Sequence, residues 1–328
     1  MKPIYYMLGI PVLLAVVIPL FADIHIYSVV TTILIWIMFG QAWNILSGFT
    51  GQISFGHAMF LGIGAYSAML IVNAINLDMV LTLIIGGLFA GLFSIPIGLL
   101  IFRLKGPYFA LSTLAFAEIL HIVARNLKGV TNGGEGIMLE NTPTFFGIEI
   151  FSKTEYFYVA LLLATAVTLF CYYLMKSKTG YSFIAIRENQ ESAEAMGIHS
   201  TKVKSISLFV SAYLAGMAGS FYGLYNKFID PEITLTVHMS IEMILVTGIG
   251  GIGTIVGPVI GSTILVSLQE YLKDVAILQS FPSLYLIIYG LLIMIVIVYL
   301  PGGIIDGLKK LKSYFSKGGK NVEHTKSG

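Results

Sequence analysis

The chain has 328 residues, 56% hydrophobic and 11% charged, with a net charge of +2 and a mean hydropathy of +0.87. Soluble domains carry roughly 25% charged residues, so composition excludes the two soluble domains that length alone suggests. Charge-free runs at 3–22, 24–77, 79–102, 156–175, 205–226, 243–269 and 275–305 each reach the roughly 18–20 residues that cross about 30 Å of hydrocarbon as a helix. The fold class is therefore all-α, a polytopic helical membrane protein.

Helices are predicted at 4–22, 24–47, 54–76, 79–102 and 107–127, followed by a loop at 128–155, then at 156–175 and 205–226. The first run is read as a retained helix and not a cleaved signal, because no small-residue cleavage site follows it. Of the 19 Lys and Arg residues, 14 fall at Lys2, at Arg103 and Lys105, in the 176–204 loop, or in the tail from Lys309 to Lys326. Basic loops mark the cytoplasmic side. Both termini and the 176–204 loop are thus predicted inside, and the 128–155 loop outside.

A last helix at 281–300 must then run inward, which leaves 227–280 beginning and ending outside. Two full crossings need roughly 40 residues before any turn. The stretch "TGIGGIGTIVGPVIG" instead suggests a short non-spanning helix at 238–250, turning into a full helix at 253–272. The total is about 10 membrane helices, one of them short and broken or re-entrant. The transmembrane domain spans 1–305 and a basic tail spans 306–328.

A second break, "SGFTGQISFGHAMFLGIGAY", lies in the first half. Its glycines Gly48, Gly51 and Gly56, with Gly248, Gly250, Gly251, Gly253 and Gly257 in the second, have two readings. They mark either a duplicated, possibly inverted, transporter architecture or close helix packing. Broken backbone at membrane depth must face protein or a water-filled cavity.

No phosphate loop, H-E-x-x-H or C-x-x-C motif occurs, so nucleotide hydrolysis by this chain is excluded and neither metal nor cofactor is called for. Cys171 is the only cysteine and reads as a small core residue. Ser262 with His57 or His121 makes a poor case for an intramembrane hydrolase.

Glu118, His121 and Arg125 share one helix face at i, i+3 and i+7. Ionisable groups in spans usually face a bundle interior or a cavity. Glu118 and His121 either line a path or serve as interhelical hydrogen bonds, while Arg125 sits near enough to the outer end to snorkel. Asn44, Gln52, Ser54 and His57 around the first break are polar and uncharged, which suits a solute gripped by hydrogen bonds. Glu242 opens the short helix, where a carboxylate is favourable anyway.

Residues 185–204, "AIRENQESAEAMGIHSTKVK", are a short polar stretch in the middle of a mostly apolar chain. Arg187 to Met196 favour a helix and Gly197 stands where a C′ glycine stops one. About ten residues give only about 15 Å, too short to span. Such a helix must fold back on its own loop or lean on a partner.

The ordered motifs "LSGFTGQISFGHAMFLGIGAY", "LKGPYFALSTLAFAEIL", "TNGGEGI", "AIRENQESAEAMGI" and "IEMILVTGIGGIGTIVGPVIG" resemble the permease subunits of branched-chain amino acid ABC importers of the LivM type, over about residues 35–270. The resemblance implies a multi-pass protein of a prokaryotic inner membrane that works with four other components. These are a second homologous permease, two ABC ATPase subunits and an extracytoplasmic solute-binding protein. It implies that Arg187, Glu188, Asn189, Glu191, Glu194, Ala195, Met196, Gly197 and Ile198 meet the ATPase. No second Ala follows Glu194–Ala195, which leaves the contact residues open at this point. It implies leucine, isoleucine or valine as cargo, moved by alternating access, with urea, short amides or other amino acids as alternatives. An ion-coupled secondary transporter using Glu118 and His121 as a proton relay is the competing class.

Overall fold

The computed structural model describes residues 23–104, 106–274 and 303–307, with isolated residues in 11–18 and 287–294. The helices expected at 4–22 and 281–300 and the tail beyond 307 lie largely outside the described residues. Seven described segments are long and apolar enough to cross a membrane.

The first, α1 (Ile24–Trp43), is buried on every side from Leu34 to Trp43. A helix that is hydrophobic all round belongs in a core, and α1 packs against α5 (Lys153–Lys176), α8 (Ser200–Asn226), α9 (Val237–Gly250) and α10 (Gly257–Asp274). It does not stop at the expected residue 47. A widened π turn over Asn44–Phe49 loosens its end, and residues 50–57 follow with little regular structure. The next helix, α2 (Ala58–Ile75), starts four residues later than predicted. Ser54 and His57, within the predicted helix, are spent instead on hydrogen bonds that close the break.

Helix α3 (Met79–Ile101) is capped by Asp78, whose carboxylate accepts from the Val80 amide at 2.9 Å. Its exposed Leu81, Ile84, Leu88, Leu92, Ile95 and Leu99 repeat every three or four residues and form an apolar stripe that hydrocarbon would cover. Helix α4 (Pro107–Asn126) opens on a proline, as N1 positions favour. Helix α5 starts at 153, before the predicted 156, because Ser152 and Glu155 form a capping box.

Helix α8 fills the space between α2 and α3. Small residues bring the backbones together, and Ser220 Oγ reaches the Gly64 and Gly216 carbonyls at 2.9 Å each. Interfaces between membrane helices are built this way, since apolar side chains gain nothing over lipid.

The 127–152 loop closes one end. Asn73 and Asn141 tie it to the end of α2, and β1 (Ile137–Met138) pairs antiparallel with β4 (Phe228–Ile229). The strands β2 (Thr144–Phe145) and β3 (Ile148–Glu149) make a small hairpin. At the other end of α5, about 36 Å away for its 24 residues, lie α6 (Lys178–Glu188) and α7 (Gln190–Ala195). The single helix expected over 187–196 is thus two, divided at Asn189, whose extended backbone (φ −161°, ψ 109°) cannot continue α6.

The short helix α9 has 14 residues, about 21 Å. Its Ser240 hydroxyl accepts from the Ala58 amide at 2.9 Å, so it begins level with the start of α2. With the preceding one-turn helix Pro231–Thr234, the stretch Pro231–Gly250 is long enough to cross. Glu242 lies in the second turn and not at the opening. The last described long helix, α10, carries Glu270, Lys273 and Asp274 in its final turns.

Replacing Gly64 by Val sets a Cβ 1.9 Å from the Gly216 carbonyl oxygen. Overpacking costs about 1–3 kcal/mol or more, so the detergent-purified variant should melt roughly 3 °C or more below wild type. An unchanged melting temperature would show that α2 and α8 do not meet there.

Candidate functional site

The two glycine-rich breaks meet. Asn44 Oδ1 accepts from the Gly253 amide at 2.8 Å, and Asn44 Nδ2 donates to the Thr254 carbonyl at 2.9 Å. One turn earlier, Gln41 Nε2 donates to the Ile255 carbonyl at 2.7 Å, and Thr247 Oγ1 to the Gly40 carbonyl at 3.2 Å. Backbone groups freed by one break are thereby answered by side chains of the other helix, as burial in an apolar setting requires. Glycine is needed at 48 for this approach, since a Cβ there would fall 1.8 Å from Asn44 Oδ1 and 2.7 Å from the Gly253 nitrogen.

Within the first break, Gln52 closes the turn through its main chain. Its amide donates to the Leu46 carbonyl at 3.1 Å and its carbonyl accepts from Ser47 Oγ at 3.1 Å. Trp43 Nε1 donates to the Ser54 carbonyl at 2.8 Å. The Ser211 hydroxyl donates its one proton to the Ala42 carbonyl at 2.6 Å and lies 2.6 Å from His57 Nε2. His57 therefore donates through Nε2 and accepts at Nδ1 from Ser54 Oγ, 3.0 Å away.

Asn44, Ser54 and His57 are essentially inaccessible. In this conformation they brace the broken backbone instead of offering polar groups to a solute. The glycines divide similarly. Gly56 packs on the Thr113 carbonyl and Gly250 on Gly257, while Gly51 and Gly251 take positive φ, and no described residue would meet a Cβ at Gly248.

The polar segment is held by its own sequence. Asn189 Oδ1 caps α7 by accepting from the Ser192 amide at 2.8 Å. At the other end the Ile198 amide reaches the Ala193 carbonyl at 3.0 Å and the Gly197 amide the Glu194 carbonyl at 2.9 Å, with Gly197 at φ +88°. This is a Schellman stop. Gln190 Nε2 donates to the Glu194 carboxylate at 2.9 Å, Ser200 Oγ donates to the same carboxylate, and Lys204 Nζ donates to Gln190 Oε1 at 2.8 Å. The segment thus folds back on its own loop. Glu191, Ala195 and Gly197 remain exposed around Met196, which is 74% exposed. A cleft lined by Glu194, Gly197, His199 and Thr201 opens beside them.

Toward the opposite end, His121 lies 3.6 Å from the Glu118 carboxylate through Nδ1 and 3.5 Å from Glu232 through Nε2, and Arg125 Nη1 is 3.3 Å from Glu232. The side chain of Glu118 remains 48% exposed on α4. Glu232 is absent from any local pattern with these residues, being more than 100 positions away, so spacing offered no signal for it.

Asn44→Ala would leave the Gly253 amide and Thr254 carbonyl without these partners, at about 1–3 kcal/mol each. Its melting temperature in detergent should fall well below that of Thr165→Ala, whose hydroxyl returns to Leu161 of its own helix. Equal effects would mean that the Asn44 bridge contributes nothing.

Comparison with known proteins locates this arrangement in a family. The family model described as branched-chain amino acid transport system / permease component matches residues 25–297. The high-affinity branched-chain amino acid transport system permease protein LivM of Escherichia coli K12 is 27% identical, over 93% of this chain and 76% of its own length. A probable LivM protein of Methanocaldococcus jannaschii is 23% identical over 71% of this chain and 69% of its own. The LivH permease of Salmonella typhimurium is 26% identical over 80% of this chain and 88% of its own. No solved structure matches. With the family model covering every described membrane helix, the chain belongs to the branched-chain amino acid transport system permease components.

Proposed function

We propose that this chain is the LivM-type permease subunit of an ABC importer that moves leucine, isoleucine or valine across the inner membrane of a prokaryote. The observation that carries the reading is the family match over residues 25–297. Likeness to both LivM and LivH permeases supports a second, homologous permease as partner. Energy enters from two separate ATPase subunits, and the solute arrives on a binding protein. The permease supplies no catalytic group.

Within this reading, α6 and α7 with the turn to 198 form the surface that meets the ATPase, with the segment on the cytoplasmic side. Glu188, Glu191, Ala195 and Gly197 are exposed along this segment with the projecting Met196. A flexible thioether on an exposed tip suits a pocket of moderate shape specificity. The caps at Asn189 and Gly197 keep the segment formed before it docks, which lowers the ordering cost of binding.

The exposed Glu118 and its neighbour His121 sit on a helix that is mostly uncovered in the single subunit. A carboxylate there is costly against lipid. Placement on a path shared with the second permease removes that cost. Residues 44–57 then act as the fixed frame beside the path, with Gln52 at its inner rim.

The direct test is reconstitution of the chain with a second permease, two ATPases and a binding protein, followed by uptake of labelled leucine. Uptake should require ATP and every component; uptake by this chain alone under a pH gradient would replace the reading with an ion-coupled carrier. Two variants probe the docking surface. Met196→Glu and Gly197→Val, the latter forcing a branched side chain into positive φ, should each weaken ATPase affinity about tenfold or more. Wild-type affinity in pull-down titrations of both variants would remove this surface from the interface.

A further inference from the structure

Arg187 closes α6, and although 35% of its side chain remains exposed, its guanidinium reaches back to the bundle. Nη1 donates to the Gly48 carbonyl at 3.1 Å. Nη2 and Nε grip the Glu188 carboxylate at 2.7 and 3.2 Å. The stem lies over Gly51, where a Cβ would come 2.9 Å from Arg187 Cγ, and a Cβ at Gly253 would come 2.5 Å from Nη1. One side chain therefore touches both breaks, from segments separated by about 200 residues, at the point where Asn44 already joins them.

The chemistry at each end is directional. Gly48 lies in the last turn of the helix that begins at Ile24, where carbonyls lack intrahelical partners and a cation is favoured by the helix dipole. The planar fork of arginine can hold a carboxylate with one edge while the remaining N–H groups stay aimed elsewhere. Glu188 thus fixes the rotation of the guanidinium, and Nη1 is left pointing at Gly48. Of the other residues of α6, Phe183 and Ile186 are buried by apolar packing, which has no direction, and Gly180 packs on the end of α5. Asn44, the π turn and Gly253 are in turn bonded to one another, so a displacement reaching Gly48 is felt at the ends of both α1 and α9.

We propose that Arg187 is a positioning residue, a strut that carries movement of the α6–α7 segment to the joined glycine breaks and so to the ends of α1 and α9. The proposal rests on the ABC-importer reading above. It removes Arg187 from the surface that touches the ATPase, and the glycines at 48, 51 and 253 become its seat.

The test uses the full reconstituted importer with Arg187→Ala and Arg187→Lys, and measures ATPase co-purification, leucine uptake and ATP consumed per leucine. With Ala, the ATPases should co-purify at wild-type stoichiometry, uptake should fall tenfold or more, and ATP per leucine should rise at least fivefold. Lys, which can reach Gly48 but lacks the separate Nε and Nη2 donors that hold Glu188 Oε1, should recover part of both. Uptake by Arg187→Ala within twofold of wild type would overturn the strut. Loss of ATPase co-purification would overturn it too, by making Arg187 a docking residue. Should the Ala protein fail to accumulate, the Lys variant decides by the same ratio: a wild-type value overturns the proposal and a raised one supports it. Failure of the importer reading is separately visible, since the wild-type chain would then transport without ATP.

Discussion

An interrupted helix inside an apolar bundle exposes N–H and C=O groups that neither lipid nor aliphatic side chains can satisfy, and the rest of this structure is arranged around that constraint. Two interruptions are placed against each other, so that each answers the other. Asn44 does most of this with one amide, giving a donor and an acceptor to consecutive residues of the second break. Gln41 and Thr247 extend the seam by a turn. Glycine at 48 and 253 follows from the same need, because a side chain at either position would part the backbones. From Leu34 to Trp43 the central helix α1 is buried on all sides, along the part that carries one half of this seam.

From the seam, connections run outward to four helices. The Ser54, His57 and Ser211 chain ties the first break to α8. The amides of Phe55 and Ala58 reach Thr113 of α4 and Ser240 of α9. Arg187 ties it to α6. Each link is a hydrogen bond with at least one partner inside the bundle, where polar contacts have geometry that packing lacks. Such bonded clusters are stiff units, because their parts cannot shift without breaking a directional bond. The close glycine and serine contacts of α2, α3 and α8 make a second unit of the same kind.

The polar segment shows how local sequence and tertiary contact divide the work. Its caps are local: Asn189 begins α7 and Gly197 ends it, and these residues carry out the roles their types favour. The ring of Gln190, Glu194, Ser200 and Lys204 is also short in sequence and holds the segment to the start of α8. What leaves Met196 outermost is the sum of these contacts. The inward turn of Arg187, in contrast, depends on Gly48, 139 residues away.

By itself the sequence determined the membrane class, most helix positions, both breaks and the short helix before the second one. These follow from charge-free length and glycine placement, which are properties of consecutive residues. It also marked Gly197 as a helix stop and Glu118 with His121 as neighbours on one face, since helical spacing is local. Only the tertiary structure decided that the two breaks meet, that Asn44, Ser54 and His57 are turned inward as braces, that Glu232 joins His121 and Arg125, and that Arg187 faces the seam. Those pairings depend on which helices lie side by side. A side chain's partner across a bundle is set by packing of whole helices, and no period in the chain encodes it.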